Sequence, residues 1–227
     1  MKSSILLPFI ATSLTQAAVT ITLPGNSESA QWTNLKNAPP YTGAGGASSF
    51  FNASAAWPTP IPGNTSATSS AVFSKISGGG YFATSSVYDA GVAGIYSLSD
   101  STPISNLATL VFQIDAGTAI GVLPTLNFNG GSQALAADFF LSMPGNYTAN
   151  GPDGPVPTTN RAWQWDLSSI SDITSYEIRW GSTTNNHLTQ NQINITAGDA
   201  FTQVIPEPST MLLSAFALST IILRRKK

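Results

Sequence analysis

The sequence predicts an all-β chain: an antiparallel β-sandwich or jelly-roll-like ectodomain, followed by a single C-terminal hydrophobic helix. Three observations carry this expectation. The 227 residues include 29 Ser, 25 Thr, 19 Gly and 15 Pro, a composition of strand and turn formers that is poor in helix formers. Apolar residues recur with period 2 in several short stretches, and no sustained 3.6-residue stripe runs through them apart from a short turn near Leu135. The run 211–223 is uncharged and ends against Arg224, Arg225, Lys226 and Lys227, the pattern of an apolar helix with a basic stop.

Taken in order, residues 1–17 read as a signal peptide. Lys2 supplies the charge, Ile5, Leu6, Leu7, Phe9 and Ile10 an apolar stretch, and Thr15-Gln16-Ala17 a small-x-small cleavage site. Residues 18–203 follow as one ectodomain. Its clearest strand is 176–180, where Tyr176, Ile178 and Trp180 share one face and Glu177 and Arg179 the other. Trp163, Trp165 and Leu167 alternate with Ala162, Gln164 and Asp166, and Leu126 and Phe128 alternate with Thr125, Asn127 and Asn129. The stretch 107–114 is apolar on both faces and predicts a central strand covered on both sides. Weaker candidates are 19–23, 71–76, 81–87, 138–141, 192–196 and 200–204. Turns are expected at Gly78-Gly79-Gly80, Asn129-Gly130-Gly131, Gly181-Ser182 and Ala197-Gly198-Asp199. Residues 37–66 and 144–161, rich in Pro and Gly, read as long loops.

Composition also excludes function classes. With 42% hydrophobic residues the chain has enough apolar surface for a core, and a net charge of −2 offers no basic footprint for nucleic acid. The ectodomain holds four basic and ten acidic side chains, a net of −6. Zero Cys removes disulfides, thiol chemistry and Cys-ligated metals, and the lone His187, after the turn pair Asn185-Asn186, reads as an exposed hairpin residue. No Gly-x-Ser-x-Gly elbow is present. The acids Asp89, Asp100, Asp115, Asp138, Asp153, Asp166, Asp172, Glu177 and Asp199 sit mostly at strand ends or turns, where Asp is a turn residue. No catalytic residue and no metal ligand is assigned, and no enzymatic activity or cofactor is expected. Asp153, Asn150 and loop carbonyls offer oxygen ligands for Ca2+, although hydrated loop acids are the commoner outcome. Tyr41, Trp57 and Tyr147, on the loops, are candidate aromatics for stacking on sugar rings. Trp163, Trp165, Tyr176 and Trp180 alternate in phase with strands, as core residues do.

At the C-terminus, residues 204–227 combine three parts: Pro206-Glu207-Pro208, the apolar run, and the basic end. Two prolines fix φ and remove two N–H donors, so the tripeptide stays extended and joins neither the preceding sheet nor the following helix. The run of 13 residues falls short of the ~20 that span a bilayer core, which suits temporary retention. This combination resembles the PEP-CTERM sorting signal of Gram-negative exported proteins. The resemblance implies that Pro206, Glu207 and Pro208 form the sorting motif, that 211–223 enters the inner membrane, and that Arg224, Arg225, Lys226 and Lys227 stop on the cytoplasmic side. It implies an exosortase, a membrane-embedded cysteine transpeptidase, as partner. The chain is then expected to cross the inner membrane, to be anchored or processed there, and to reach the cell surface or the exterior. Its expected role is structural or adhesive, associated with exopolysaccharide. A carbohydrate-binding module is the alternative, and a secreted hydrolase with unrecognised carboxylates the third reading.

Overall fold

In the computed structural model, which describes residues 21–33, 35, 56–64, 66–83, 86–151 and 154–205, the period-2 stretches become strands. In chain order these are β1 (Ser27–Thr33), β2 (Ile61–Pro62), β3 (Val72–Gly78), β4 (Tyr81–Ala83), β5 (Ser86–Tyr88) and β6 (Gly94–Asp100). They continue with β7 (Thr109–Ala116), β8 (Val122–Phe128), β9 (Phe139–Gly151), β10 (Gly154–Asp166), β11 (Tyr176–Gly181) and β12 (Thr189–Gly198). All pairings are antiparallel. Sheet A has the order β4-β5-β12-β7-β10-β9, with β1 also paired to β12; sheet B has the order β2-β3-β6-β11-β8. Only β2–β3, β4–β5 and β9–β10 are consecutive neighbours within one sheet. Every other connection carries the chain from one sheet to the other, so strands distant in sequence lie side by side.

The two inner faces bury one apolar cluster, which includes Trp32, Phe112, Ile114, Trp163, Trp165, Ile193 and Ile195 from sheet A. Sheet B contributes Phe73, Tyr96, Leu98, Leu126, Tyr176, Ile178 and Trp180. The Trp180 ring lies 4.7 Å from that of Phe112 across the sheets, and stacks 5.7 Å from Phe73 and 6.0 Å from Tyr96 within sheet B. Its indole N–H donates to Gln190 Oε1 at 2.9 Å, which satisfies the buried polar tip. On the far side of β11, Arg179 and Glu177 face outward and pair at 2.8 Å. The alternation expected for residues 162–167, 176–180 and 125–129 is thus the alternation observed.

Strand β7 is buried at every position, as expected for residues 107–114, and lies between β12 and β10. Leu110, Phe112 and Ile114 face the interior. Val111 belongs to a second cluster on the outer face of sheet A with Leu23, Ala162 and Ile205, flanked by Ile21, Phe139, Leu141 and Val204. The second covering of the central strand is therefore made by the residues that lead into and out of the body.

Several expectations are corrected. The stretch 144–161 is not a loop but most of the β9–β10 hairpin. Its prolines are tolerated because β9 is the outermost strand, and because β7 stops pairing with β10 at Thr159. Pro155 and Pro157 then lie where β10 pairs with β9 alone, beside a register shift. Residues 21–23 and 201–205 are not strands. Strands β1 and β6 were not anticipated, since small polar residues dilute their alternation (Ser27, Glu28, Ser29; Ser97, Ser99). The turn at Gly78-Gly79-Gly80 is as expected: Gly78 has φ +73, and a Cβ there would lie 1.9 Å from the Ala93 carbonyl oxygen. Only glycine accommodates both conditions.

Candidate functional site at the C-terminal exit

The body's last described residues, 201–205, form a strap across the outer face of sheet A. Two side chains satisfy its backbone in the way a neighbouring strand would. Thr109, at the start of β7, donates from Oγ1 to the Ala200 carbonyl at 2.8 Å and accepts the Thr202 N–H at 3.0 Å. Gln164, in β10, donates from Nε2 to the Thr202 carbonyl at 2.7 Å. Its Oε1 accepts the N–H of both Val204 and Ile205, each at 3.0 Å. The Gln164 amide thus has three partners in the strap, and the residue is fully buried, which is the condition under which burying an amide is not costly. Phe201 stacks on Phe139 at 6.3 Å, and Ile205 is fully buried among Leu23, Val111 and Ala162.

A second segment lies beside this strap on the same face. The Ile21 N–H donates to Gln113 Oε1 at 3.3 Å, and Thr196 Oγ1 donates to the Ile21 carbonyl at 3.0 Å. Entry and exit of the body therefore share one apolar cluster. Further along sheet A the outward side chains become polar. Tyr147 OH donates to Gln192 Oε1 at 3.2 Å, and Gln192 Nε2 donates to Asn194 Oδ1 at 3.2 Å. Burial, and then the nearby Asp115 carboxylate, push the Tyr147 phenol above its ordinary value.

The two described candidate aromatics, Trp57 and Tyr147, do not come together. Trp57 is in the interior, 5.2 Å from Phe73 and 4.9 Å from Phe82; a large apolar ring near β2 fills the core rather than a surface. Tyr147 is 36% exposed. Tyr41 lies outside the described residues, as do 1–17, Pro206, Glu207, Pro208, the run 211–223 and Arg224, Arg225, Lys226 and Lys227. Among the described residues no helix is long and apolar enough to cross a membrane, and no group of three or more His, Asp or Glu side chains could hold a metal ion. Asp153 is also outside them.

The described carboxylates mostly serve the backbone and neighbouring hydroxyls. Asp100 accepts from Ser69, Ser70 and the Thr102 N–H. Asp89 accepts the Gly91 N–H, Asp138 the Asp166 N–H, and Asp166 the Ser168 N–H. Asp172 and Asp199 line one groove of about 440 Å³ with Leu107, Leu167, Ile173 and Phe201. His187 is half-buried rather than exposed, since its Nδ1 lies 2.7 Å from the Tyr88 hydroxyl and its ring stacks on that of Tyr88.

Reading along the chain missed the clamp residues Thr109 and Gln164. The available signal was indirect: a central strand apolar on both faces needs a second cover, and residues 200–204 were assigned to a strand instead.

The fold and its exit define a class: an all-β body of two antiparallel sheets whose last described residues, 201–205, are strapped to the outer face of one of them. The segment that begins within this strap is identifiable. Residues 204–227 match the family described as PEP-CTERM protein-sorting motif, so the chain carries the sorting signal that its tripeptide, apolar run and basic end resemble. Such a signal directs export and membrane-associated processing by an exosortase. No curated protein and no solved structure matches the chain.

Proposed function

We propose that the chain is a non-enzymatic structural or adhesive component of a bacterial envelope or surface matrix, associated with exopolysaccharide. Its jelly-roll-like body is the cargo, and its C-terminal signal is the address. The observation that carries this reading is the match of residues 204–227 to the sorting motif, whose first two residues are the last of the strap. In support, most of the described carboxylates accept from backbone N–H groups and hydroxyls, and the two sheets close around one apolar core.

The test is intact mass and cell fractionation of the full chain in an exosortase-bearing Gram-negative host, beside Glu207→Ala. The wild-type chain is expected to lose its tail and leave the inner membrane, and the variant to keep its tail and remain there. Equal masses and equal distributions for the two would overturn the sorting role. Co-sedimentation of the mature protein with the host's exopolysaccharide tests the matrix role, and its appearance solely in the polysaccharide-free fraction would remove that part.

A further inference from the structure

We propose that the strap 201–205 is an autoinhibitory latch on the sorting signal, and that Gln164 is the positioning residue that holds it closed. The proposal rests on the reading above, that a membrane-embedded processing enzyme acts on the tail.

An enzyme that reads an extended peptide grips it largely by main-chain hydrogen bonds, as a strand is added to a sheet. Pro206 and Pro208 have no N–H to offer. On the body's side of the tripeptide the nearest donors are therefore Ile205 and Val204, and both are bound by the single oxygen Gln164 Oε1. Further back along the strap, the Thr202 carbonyl and N–H are bound by Gln164 and Thr109. The Ile205 side chain is buried against the sheet. While the strap is docked, the Val204 and Ile205 N–H groups, the Thr202 N–H and carbonyl, and the Ile205 side chain are all withheld from an enzyme.

Docking also limits reach. Glu207 is two residues beyond Ile205, so while the strap is docked it can lie no more than about 7 Å from Ile205. Release of the strap back to Asp199 adds six residues, about 20 Å. The undocked state alone presents a grippable strand at a distance that clears the body. A substrate whose competent state is a minor population is used in proportion to that population, so loosening the latch speeds removal of the tail.

The test uses the full chain with its exosortase in an exosortase-bearing host. Pulse–chase mass analysis follows loss of the tail in wild type, Gln164→Ala, Thr109→Val, Glu207→Ala and Ile178→Val. Amide exchange of the purified full-length proteins is read at Val204 and Ile205. The latch predicts protected Val204 and Ile205 amides in wild type, loss of that protection in Gln164→Ala, and tail removal at least about tenfold faster. Thr109→Val, which leaves the Gln164 contacts, is expected to move both readouts the same way by less. Ile178→Val weakens the interior without touching the strap and is expected to leave the rate unchanged; an equal acceleration there would mean general loosening and overturn the latch. Should Gln164→Ala fail to fold, Thr109→Val and the wild-type amides decide the matter. Unprotected wild-type amides, or unchanged or slower processing in the strap variants, overturn the latch. The sorting reading then stands as long as wild type is processed and Glu207→Ala is not. If wild type keeps its tail, or Glu207→Ala loses it equally fast, the sorting reading falls and the latch falls with it.

Discussion

Trp180 shows how single residues connect the two sheets. Its ring meets Phe112 from the opposite sheet and Phe73 and Tyr96 from its own, and its N–H is satisfied by Gln190. Trp180→Ala removes the contacts and leaves a cavity, at an expected cost of about 3–5 kcal/mol, read as a fall in the urea midpoint at constant slope. Glu28 shows a different effect. Burial raises its carboxyl above the ordinary value of 4.5, the Ile104 N–H opposes this, and Asp100 adds to it. Between the ordinary and the raised value the folded state keeps a proton that the unfolded state has lost, so stability falls as pH rises through that window. Glu28→Gln keeps an acceptor for Ile104 and removes the slope. Calorimetry is expected to give the variant a higher Tm than wild type at pH 7 and no advantage at pH 4.

Among elements, the Gly78 turn and the strap are the most exacting. Gly78→Ala places a Cβ against the Ala93 carbonyl at positive φ and is expected to cost at least about 2 kcal/mol, measured by thermal or urea unfolding. A chain ending at residue 205 is the reference for the strap's share of stability. One ending at residue 200 loses the burial of Ile205, about 2 kcal/mol by its apolar area, and exposes Leu23, Val111 and Ala162; comparison of the two midpoints checks this. Elements differ in how legible they were for physical reasons. Strand β11 was readable because Tyr, Ile and Trp alternate with Glu and Arg, so period and chemistry agree. Strands β1 and β6 were not, because serines, whether exposed like Ser27 or buried like Ser97, carry little contrast against their neighbours. The prolines of the β9–β10 hairpin mark turns locally and so suggest a loop, whereas an outer strand tolerates them. The Pro-rich neighbours of Trp57 suggest a loop ring, yet its main-chain N–H donates to the Lys75 carbonyl of β3 and its ring packs on Phe73 and Phe82 in the core.

At the scale of the whole molecule, stability rests on burial and sheet hydrogen bonds alone. The chain has no cysteine, so its unfolding transition is expected to be the same with and without a reductant, checked by parallel urea titrations. The all-β class was legible in composition, and the sorting motif in three short features that stand together at one end. The clamp by Thr109 and Gln164 was not, because it joins segments far apart in sequence: Gln164 meets Val204 from 40 positions away, and Thr196 meets Ile21 from 175. Periodicity reports which face of a strand is covered, but not which segment covers it.

Leu23 and Ile205 seal the same patch of sheet A, and this imposes a schedule on the molecule. Leu23 precedes the first strand and Ile205 follows the last, so a chain made from its amino end leaves that patch open until all twelve described strands are in place.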